Sequence, residues 1–171
     1  MKIGITGHTS GIGLSLFTKY KDLDFNIVGF SRSSGHDIGN KEVRDKILNQ
    51  SFDLFINNAY HETGQNALLQ ELLKQYKHII HISSNIVNMP VEQFPAEVRR
   101  YREVKLEGNQ IIDSYKGDAN ILNVLPDLVR TNFFLGGDML QYGMDPNYVA
   151  DLILDAPVNG ELIISHPNWL K

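Results

Sequence analysis

Short apolar runs alternate with longer amphipathic segments along the whole chain. Six of the apolar runs are four to six residues long and are built around Ile, Leu, Val and Phe. Runs of this kind are typical of parallel strands that are buried on both faces of a sheet. They cover residues 3–6, 26–30, 52–56, 78–83, 120–125 and 162–165.

Between these runs, apolar residues recur every three or four positions, which predicts helices with one buried face. Leu68, Leu69 and Leu72 form one such stripe, and a longer stripe covers residues 98–115. The other stripes lie within residues 12–20, 43–48 and 149–153. Alternating strands and helices with short connections predict right-handed βαβ units. The expected fold class is α/β: a single-domain, doubly wound parallel sheet of the Rossmann type, with helices on both faces in a three-layer αβα arrangement.

The chain shows no internal repeat, low-complexity tract or linker, so we interpret residues 1–171 as one domain. Its least regular stretch covers residues 132–145 and contains Gly136 and Gly137. We expect this stretch to form a loop beside the substrate. Open sheets of this class bind ligands beyond the carboxyl ends of their strands, and the chemistry is expected there.

Composition excludes several classes of protein. The 171 residues include no cysteine, which rules out disulfides, thiolate metal sites and a cysteine nucleophile. The formal charge of −4 argues against a nucleic-acid partner, since such domains usually carry a positive excess. His78 and His81 are three apart in a strand and face opposite sides, and no carboxylate is spaced to complete a metal site with them. We therefore predict no metal.

The location of the protein is predicted from what the sequence lacks. No apolar run approaches the ~20 residues that span a bilayer. The first residues lead into a strand and a glycine turn, unlike a signal peptide. We therefore expect a cytoplasmic protein without a membrane partner.

A glycine-rich turn follows the first predicted strand and opens a helix. It reads Thr6-Gly7-His8-Thr9-Ser10-Gly11-Ile12-Gly13. A pyrophosphate at a helix N-terminus needs bare backbone N–H groups, and side chains at the turn would hold it away. The strand–turn–helix context favours such a dinucleotide site, although the spacing is not Gly-x-Gly-x-x-Gly. A tight turn without a ligand is the alternative.

The end of the second strand indicates which dinucleotide is bound. An acid there would hydrogen-bond the ribose 2′-hydroxyl of NAD, whereas an arginine would accept the 2′-phosphate of NADP. The strand ends in Ser31-Arg32-Ser33, and the first acid is Asp37. An arginine flanked by serines can hold a phosphate, so NADP(H) is favoured over NAD(H). The alternative is that Arg32 is only a solvated turn residue.

A phenol and an ammonium share one face of the longest predicted helix. Tyr101 and Lys105 are four residues apart, on the stripe that should face the sheet. Lysine is rarely buried without a partner, and its charge favours the phenolate of a neighbouring tyrosine. A lowered pKa would suit Tyr101 to acid–base work at neutral pH. The alternative is an amphipathic helix with a lysine that reaches solvent.

Six short motifs together resemble the short-chain dehydrogenase/reductase family, in the family's order and over nearly the whole chain. They are Thr6-Gly7-x-x-x-Gly11-x-Gly13, Asp37-Ile38, Asn57-Asn58-Ala59, Ile82-Ser83-Ser84, Tyr101-x-x-x-Lys105 and Pro126-Asp127-Leu128-Val129-Arg130-Thr131. The resemblance implies hydride transfer between NAD(P) and a small carbonyl or alcohol substrate, in a homodimer or homotetramer.

The resemblance also implies roles for individual residues. Tyr101 would protonate the carbonyl oxygen, Ser84 would orient it, and Lys105 would bind the nicotinamide ribose and lower the pKa of the tyrosine. Asn66 is the candidate for a fourth, proton-relay position. The residue patterns and the resemblance together give candidate cofactor contacts at Thr6, Gly7, Thr9, Ser10, Gly11, Ile12, Gly13, Ser31, Arg32, Ser33, Asp37, Ile38, Asn57, Asn58, Ala59, Tyr101, Lys105, Pro126, Val129 and Thr131.

The chain also departs from the family pattern. The stretch from Arg32 to Phe52 is too short for a further strand–helix pair, which thins the adenine side. Tyr60 and Asp127 replace glycines near the expected nicotinamide end. These changes keep open a dinucleotide-binding sensor or regulator without catalysis. A nucleotide-sugar epimerase or reductase of the extended family would share the Ser–Tyr–Lys set but normally needs a larger C-terminal region.

Overall fold

The sheet contains six parallel strands in the order β2-β1-β3-β4-β5-β6. The computed structural model describes residues 1–90, 94–131 and 142–167. The strands are β1 (Lys2–Thr6), β2 (Asn26–Phe30), β3 (Leu54–Asn57), β4 (His78–Ile82), β5 (Asn120–Pro126) and β6 (Gly160–Ile164). The helices are α1 (Gly11–Asp22), α2 (Lys41–Leu48), α3 (Gly64–Gln75), α4 (Ala96–Ser114) and α5 (Pro146–Asp155). The predicted doubly wound α/β fold is confirmed.

Two apolar cores lie on opposite faces of the sheet. Ile3 and Ile5 of β1 point into the first core, which contains residues of α1 and α5. Phe55 of β3 and Ile79 of β4 point into the second, which contains residues of α2 and α3. Because successive side chains of a strand face opposite sides, β3, β4 and β5 each contribute to both cores. This explains why the strands read as continuous apolar runs.

The connection between β2 and β3 holds one α-helix and no further strand. A single 3-10 turn at Arg32–Ser34 precedes α2, and β2 lies at the edge of the sheet. The shortening that the sequence predicts for this stretch is therefore present. It leaves the carboxyl end of β2 open on one side.

The loop predicted at residues 132–145 is described only in its last four residues, since 132–141 lie outside the described residues. Met144 is buried in the first core and bridges to Val129. Asp145 caps α5 by accepting a hydrogen bond from the backbone N–H of Asn147 at 2.8 Å. This end of the stretch is therefore tied to the sheet. None of the helices in the described residues is long and apolar enough to span a bilayer.

Gly108 sets how closely α4 approaches the sheet. A Cβ built on it would lie 2.9 Å from Nε2 of His81 in β4 and 3.0 Å from Oδ1 of Asn66 in α3. The helix therefore packs with its backbone against two buried side chains. Lys105 lies one turn earlier on the same face of α4 and is therefore also buried against the sheet.

Gly108→Ala should destabilise the fold, because the added methyl would force His81 or Asn66 to move. Overpacking costs typically about 1–3 kcal/mol, against about 1 kcal/mol gained in helix propensity. We expect a net loss of about 1 kcal/mol in the free energy of unfolding, measured by urea denaturation. Gln110→Ala, at an exposed position of α4, is the control and should change little. A more stable Gly108→Ala protein would contradict this packing.

Candidate active site

Four loops meet at the carboxyl ends of β1, β3, β4 and β5. The chain winds from β1 to β2 on one side and then returns to place β3 on the other side of β1. In open α/β sheets the crevice at such a reversal is where ligands bind. We call this space the crevice, bounded by the glycine turn (residues 6–13) and the segments that follow β3, β4 and β5.

The glycine turn presents backbone rather than side chains to the crevice. Gly7 and Gly11 have φ angles of +73° and +54°, which other residues rarely adopt. A Cβ on Gly13 would lie 2.1 Å from the carbonyl oxygen of Gly7, so only glycine fits there. Ser10 occupies the N-cap position of α1, but its side chain makes no capping hydrogen bond. The first N–H groups of α1 therefore lack a side-chain cap, as an anion site at a helix N-terminus requires.

Hydrogen bonds join the turn to the segment after β3. The Thr6 hydroxyl accepts from the backbone N–H groups of Asn58 and Ala59, both at 3.0 Å. In return, the Asn58 side-chain amide donates to the carbonyl oxygens of Thr6 at 3.0 Å and Gly7 at 3.4 Å. Four of the predicted cofactor residues thus act together to hold two walls of the crevice in register.

Thr131 and Asn57 differ in their relation to the crevice. The Thr131 methyl lies 2.7 Å from where a Cβ of Gly11 would be, so the segment after β5 reaches the glycine turn. Asn57 is fully buried instead. Its amide donates to the carbonyl of Gln65 at 3.1 Å and lies 3.3 Å from Nδ1 of His81. Asn57 therefore joins β3 to α3 and β4 beneath the crevice.

The residues after β2 fall into two groups. Ser31 is buried and caps the 3-10 turn by accepting a hydrogen bond from the N–H of Ser34. Arg32 and Ser33 are exposed. Ser33 retains one side-chain contact, 3.0 Å between its hydroxyl and that of Ser31. The guanidinium of Arg32 is thus accessible to a ligand at this end of the sheet.

Asp37 and Ile38, which the resemblance assigns to the adenine, are placed differently from each other. Asp37 is exposed, and its carboxylate accepts a hydrogen bond from the N–H of Gly39 at 2.9 Å. The Ile38 side chain is buried in the second core. Of this pair, the Asp37 carboxylate and the backbone of Ile38 are therefore the groups that could contact a ligand.

Ser84, Tyr101 and Lys105 converge where β4 ends. The Tyr101 hydroxyl is hydrogen-bonded to Ser84. The Tyr101 ring lies 5.0 Å from the ring of Tyr60, which follows Ala59 after β3. The Lys105 ammonium lies 5.4 Å from the centre of the Tyr101 ring and 5.8 Å from that of Tyr60. The sequence prediction that these three groups share one site is consistent with this arrangement.

Burial governs the protonation of both titratable groups. Removal from water raises the pKa of Tyr101, and the hydrogen bond with Ser84 opposes this only in part. This direction is opposite to the lowering expected from sequence. Burial lowers the pKa of Lys105 to about 7. The Lys105 ammonium lies 5.4 Å from the centre of the Tyr101 ring, and burial favours the neutral form of both groups.

The side chain that accepts a hydrogen bond from Lys105 is that of Gln65, which is not among the site residues predicted from the sequence. Lys105 donates to the Gln65 side-chain oxygen at 2.9 Å and to the carbonyl of Ile82 at 2.7 Å. Asn66, the predicted relay residue, instead donates to the carbonyl of Val104 at 2.9 Å and to the carboxylate of Glu107 at 2.8 Å. The sequence did carry a signal for Gln65. It is a polar residue on the same stripe of α3 as the apolar residues Leu68 and Leu69, which indicates a buried side chain with a polar partner.

Asp127 joins the segments after β4, β5 and β6. One carboxylate oxygen accepts from the side-chain amide of Asn85 at 2.7 Å, and the other accepts from the backbone N–H of His166 at 2.9 Å. Asn85 directly follows Ser84. The carboxylate at the place of the family's glycine thus holds the serine segment, a role that the sequence did not reveal. Pro126, immediately before it, is buried at the end of β5.

Comparison with solved structures identifies the fold. A short-chain dehydrogenase/reductase from Vibrio parahaemolyticus superposes with a TM-score of 0.75 at 18% identity, over 96% of this chain and 99% of that one. A 3-ketoacyl-(acyl-carrier-protein) reductase from Brucella melitensis, complexed with NADH, gives 0.75 at 12% identity, over 97% of both chains. The chain has the short-chain dehydrogenase/reductase fold.

A third neighbour with this fold is the NADPH-dependent 3-quinuclidinone reductase from Rhodotorula rubra. It superposes with a TM-score of 0.69 at 11% identity, over 99% of this chain and 91% of that one. No protein-family model and no curated protein matches the sequence. The likeness therefore lies in the backbone and in the few motifs that the sequence preserves.

In this short-chain dehydrogenase/reductase fold, the lowered pKa of Lys105 should make stability depend on pH. Its ordinary pKa is 10.5 and its folded pKa is about 7, so between these values the unfolded chain binds more protons at this residue. The free energy of unfolding should therefore rise as pH increases across that window, by at most about 1.4 kcal/mol per pH unit. The pKa of His81 in the folded protein is about 3, so this residue affects the free energy of unfolding at pH values below this window.

Lys105→Met should remove most of this dependence, which urea denaturation at a series of pH values measures. Lys74→Met, at an exposed position of α3, is the control and should keep the wild-type slope. An equal slope in the wild type and in Lys105→Met would contradict the lowered pKa.

Proposed function

We propose that the protein is an NAD(P)-dependent oxidoreductase that transfers hydride between NADP(H) and a small carbonyl or alcohol substrate. The observation that carries this proposal is the convergence of Ser84, Tyr101 and Lys105 at the end of β4. Tyr60 connects these residues to the segment that is hydrogen-bonded to the glycine turn. The proton donor and the candidate anion site therefore border one crevice.

The residues present fit a nicotinamide dinucleotide. The glycine turn offers bare backbone and an N-terminus of α1 without a side-chain cap, which suits the pyrophosphate. Lys105 and the segment from Pro126 to Thr131 would hold the nicotinamide end, with Val129 kept in place by its bridge to Met144. When bound, the cofactor supplies or accepts the hydride, and the protein contributes position and electrostatics.

The chain's own groups would manage the proton. With its raised pKa, Tyr101 is protonated at neutral pH and can donate to a carbonyl oxygen as that oxygen gains charge. The hydroxyl of Ser84, already hydrogen-bonded to Tyr101, would orient the same oxygen. The Lys105 ammonium beside the ring would stabilise the phenolate that remains. The rings of Tyr60 and Tyr101 would shield this exchange from water.

A second candidate function is a dinucleotide-binding sensor or regulator without catalysis. Tyr60 brings an aromatic ring to within 5.0 Å of the proton donor. The edge position of β2 leaves little to cover an adenine ring. These features favour weak cofactor binding. The hydrogen bond between Ser84 and Tyr101 favours the enzyme, because a sensor has no need of a proton donor.

We also propose that the protein acts in the cytoplasm as a homodimer or homotetramer. Its partner would be a small molecule rather than nucleic acid or a membrane. The mild negative charge supports the exclusion of nucleic acid.

Arg32→Ala should remove a preference for NADPH over NADH. The exposed guanidinium would contact the 2′-phosphate, and charge-assisted bonds of this kind correspond to about tenfold or more in affinity. Titration of both cofactors measures the ratio of the two dissociation constants. Arg99→Ala, which removes an equal charge from an exposed site on α4, should leave the ratio unchanged. A preference that persists in Arg32→Ala would assign the 2′-phosphate to another group.

Tyr101→Phe should abolish turnover while NADPH binding is nearly retained. Loss of a general acid typically costs about a hundredfold or more in rate. The measurement is consumption of NADPH with a panel of small aldehydes and ketones, together with a binding titration. Tyr115→Phe is the matched control: within the part of the chain that the structure describes, its hydroxyl donates to the carbonyl of Leu73, away from Ser84 and Lys105, and its loss should not affect turnover. Equal turnover in Tyr101→Phe and the wild type would refute the assignment.

A further inference from the structure

Gln65 lies directly beneath the Lys105 ammonium and is fully buried. Its side-chain oxygen accepts a hydrogen bond from Lys105 at 2.9 Å. We propose that Gln65 is the positioning residue for Lys105, which fixes the ammonium beneath Tyr101 and thereby sets the affinity of the crevice for a nicotinamide cofactor. The effect on cofactor affinity rests on the proposed function, whereas the positioning of Lys105 rests on the local geometry alone.

The orientation of the Gln65 amide is determined by its surroundings. Its nitrogen donates to the carbonyl oxygens of Ile82 at 3.1 Å and Asn57 at 3.4 Å. Its backbone carbonyl accepts from the Asn57 side chain at 3.1 Å. Because two carbonyl oxygens face the nitrogen, the oxygen must face Lys105. Contacts from α3, β3 and β4 thus hold a single acceptor at a fixed point.

A neutral acceptor leaves Lys105 able to respond to a ligand. An ammonium has three N–H donors, and the described residues supply two acceptors, Gln65 and Ile82. No carboxylate of the described residues forms an ion pair with it, and its pKa is lowered to about 7. A carboxylate at position 65 would favour the charged form of the lysine and raise its pKa. The amide instead fixes the position of the ammonium without fixing its charge.

The groups that face Lys105 do not titrate near neutral pH. Burial raises the pKa values of Tyr60 and Tyr101, so both phenols are neutral there. Burial also lowers the pKa of His81 in β4 to about 3, so the imidazole is neutral as well. Among these groups of the described residues, only Lys105 itself changes charge in this range. A shift in its titration can therefore be assigned to the residue at position 65.

The first test follows Lys105 in the cofactor-free protein by NMR of its ε-carbon as pH is varied. Gln65→Glu should raise the pKa of Lys105 by about a unit or more, since an opposite charge favours the ammonium. Gln65→Met, similar in length but without the amide acceptor, should lower it. Gln70→Glu and Gln70→Met, at an exposed position of the same helix, are matched controls and should leave the titration unchanged.

The second test measures NADPH affinity against pH in the same proteins. Gln65→Met should bind about tenfold more weakly, the usual effect of losing a hydrogen bond to a charged group. In Gln65→Glu, the pH at which affinity changes should move upward together with the pKa of Lys105. Both variants keep the side-chain length, and their unfolding temperatures show whether they fold. If Gln65→Met does not fold, Gln65→Glu decides the question.

The outcomes separate this inference from the proposed function. If both Gln65 variants titrate Lys105 as the wild type does, Gln65 has only a structural role and the inference is overturned, even when the unfolding temperatures fall. If the wild type does not bind NADPH but the pKa of Lys105 moves as expected, positioning of the lysine stands and the proposed function fails. If the Gln65 variants shift the titration of Lys105 and also the affinity for NADPH, the result supports the positioning role of Gln65 and the proposed function together.

Discussion

A lysine ammonium buried without a carboxylate beside it is the constraint on which the site depends. Lys105 is 2% exposed, and its hydrogen-bond partners among the described residues are an amide oxygen and a main-chain carbonyl. Burial of a charge without a counter-charge is costly, so the group tends towards its neutral form. The fold accepts this cost because α4 is drawn onto the sheet at Gly108, one turn further along the same face. Such an arrangement suits a ligand whose hydroxyl groups complete the coordination of the ammonium.

The remaining walls of the crevice are held rigidly around that lysine. Thr6 and Asn58 exchange hydrogen bonds between the ends of β1 and β3. Asp127 fixes the segment that carries Ser84 through its bond to Asn85. These contacts would orient the proposed reacting groups before a ligand binds, and such positioning is what a protein contributes when a cofactor carries the chemistry. A hydrogen-bonded phenol, a serine hydroxyl and a responsive ammonium therefore occupy fixed positions at one sheet edge.

The sequence predicted the strands, the helices and the glycine turn well, and the contacts between buried side chains less well. The four central strands follow from continuous apolar runs, because a strand buried on both faces has to be largely apolar. The edge strands β2 and β6 were also recognisable as apolar runs, although they are partly exposed. Gly7 and Gly13 were recognisable because a strand–turn–helix context requires bare backbone. Gln65 and Asp127 were not assigned their contacts, since both act on partners distant in sequence. The direction of the Tyr101 pKa was also wrong, because the effect of burial depends on packing that four-residue spacing does not report.

Proton uptake on cofactor binding tests the central claim most directly. At about pH 8, above the lowered pKa of Lys105, most of the lysine should be neutral in the free protein. Hydroxyl groups of a bound nicotinamide ribose would favour its ammonium form, so binding should draw a proton from solution. Calorimetric titration with NADPH in buffers of different ionisation enthalpy measures this uptake. The arrangement predicts a binding heat that varies with the buffer in the wild type and does not vary in Lys105→Met. A wild-type heat that is independent of the buffer, or no binding heat at all, would contradict it.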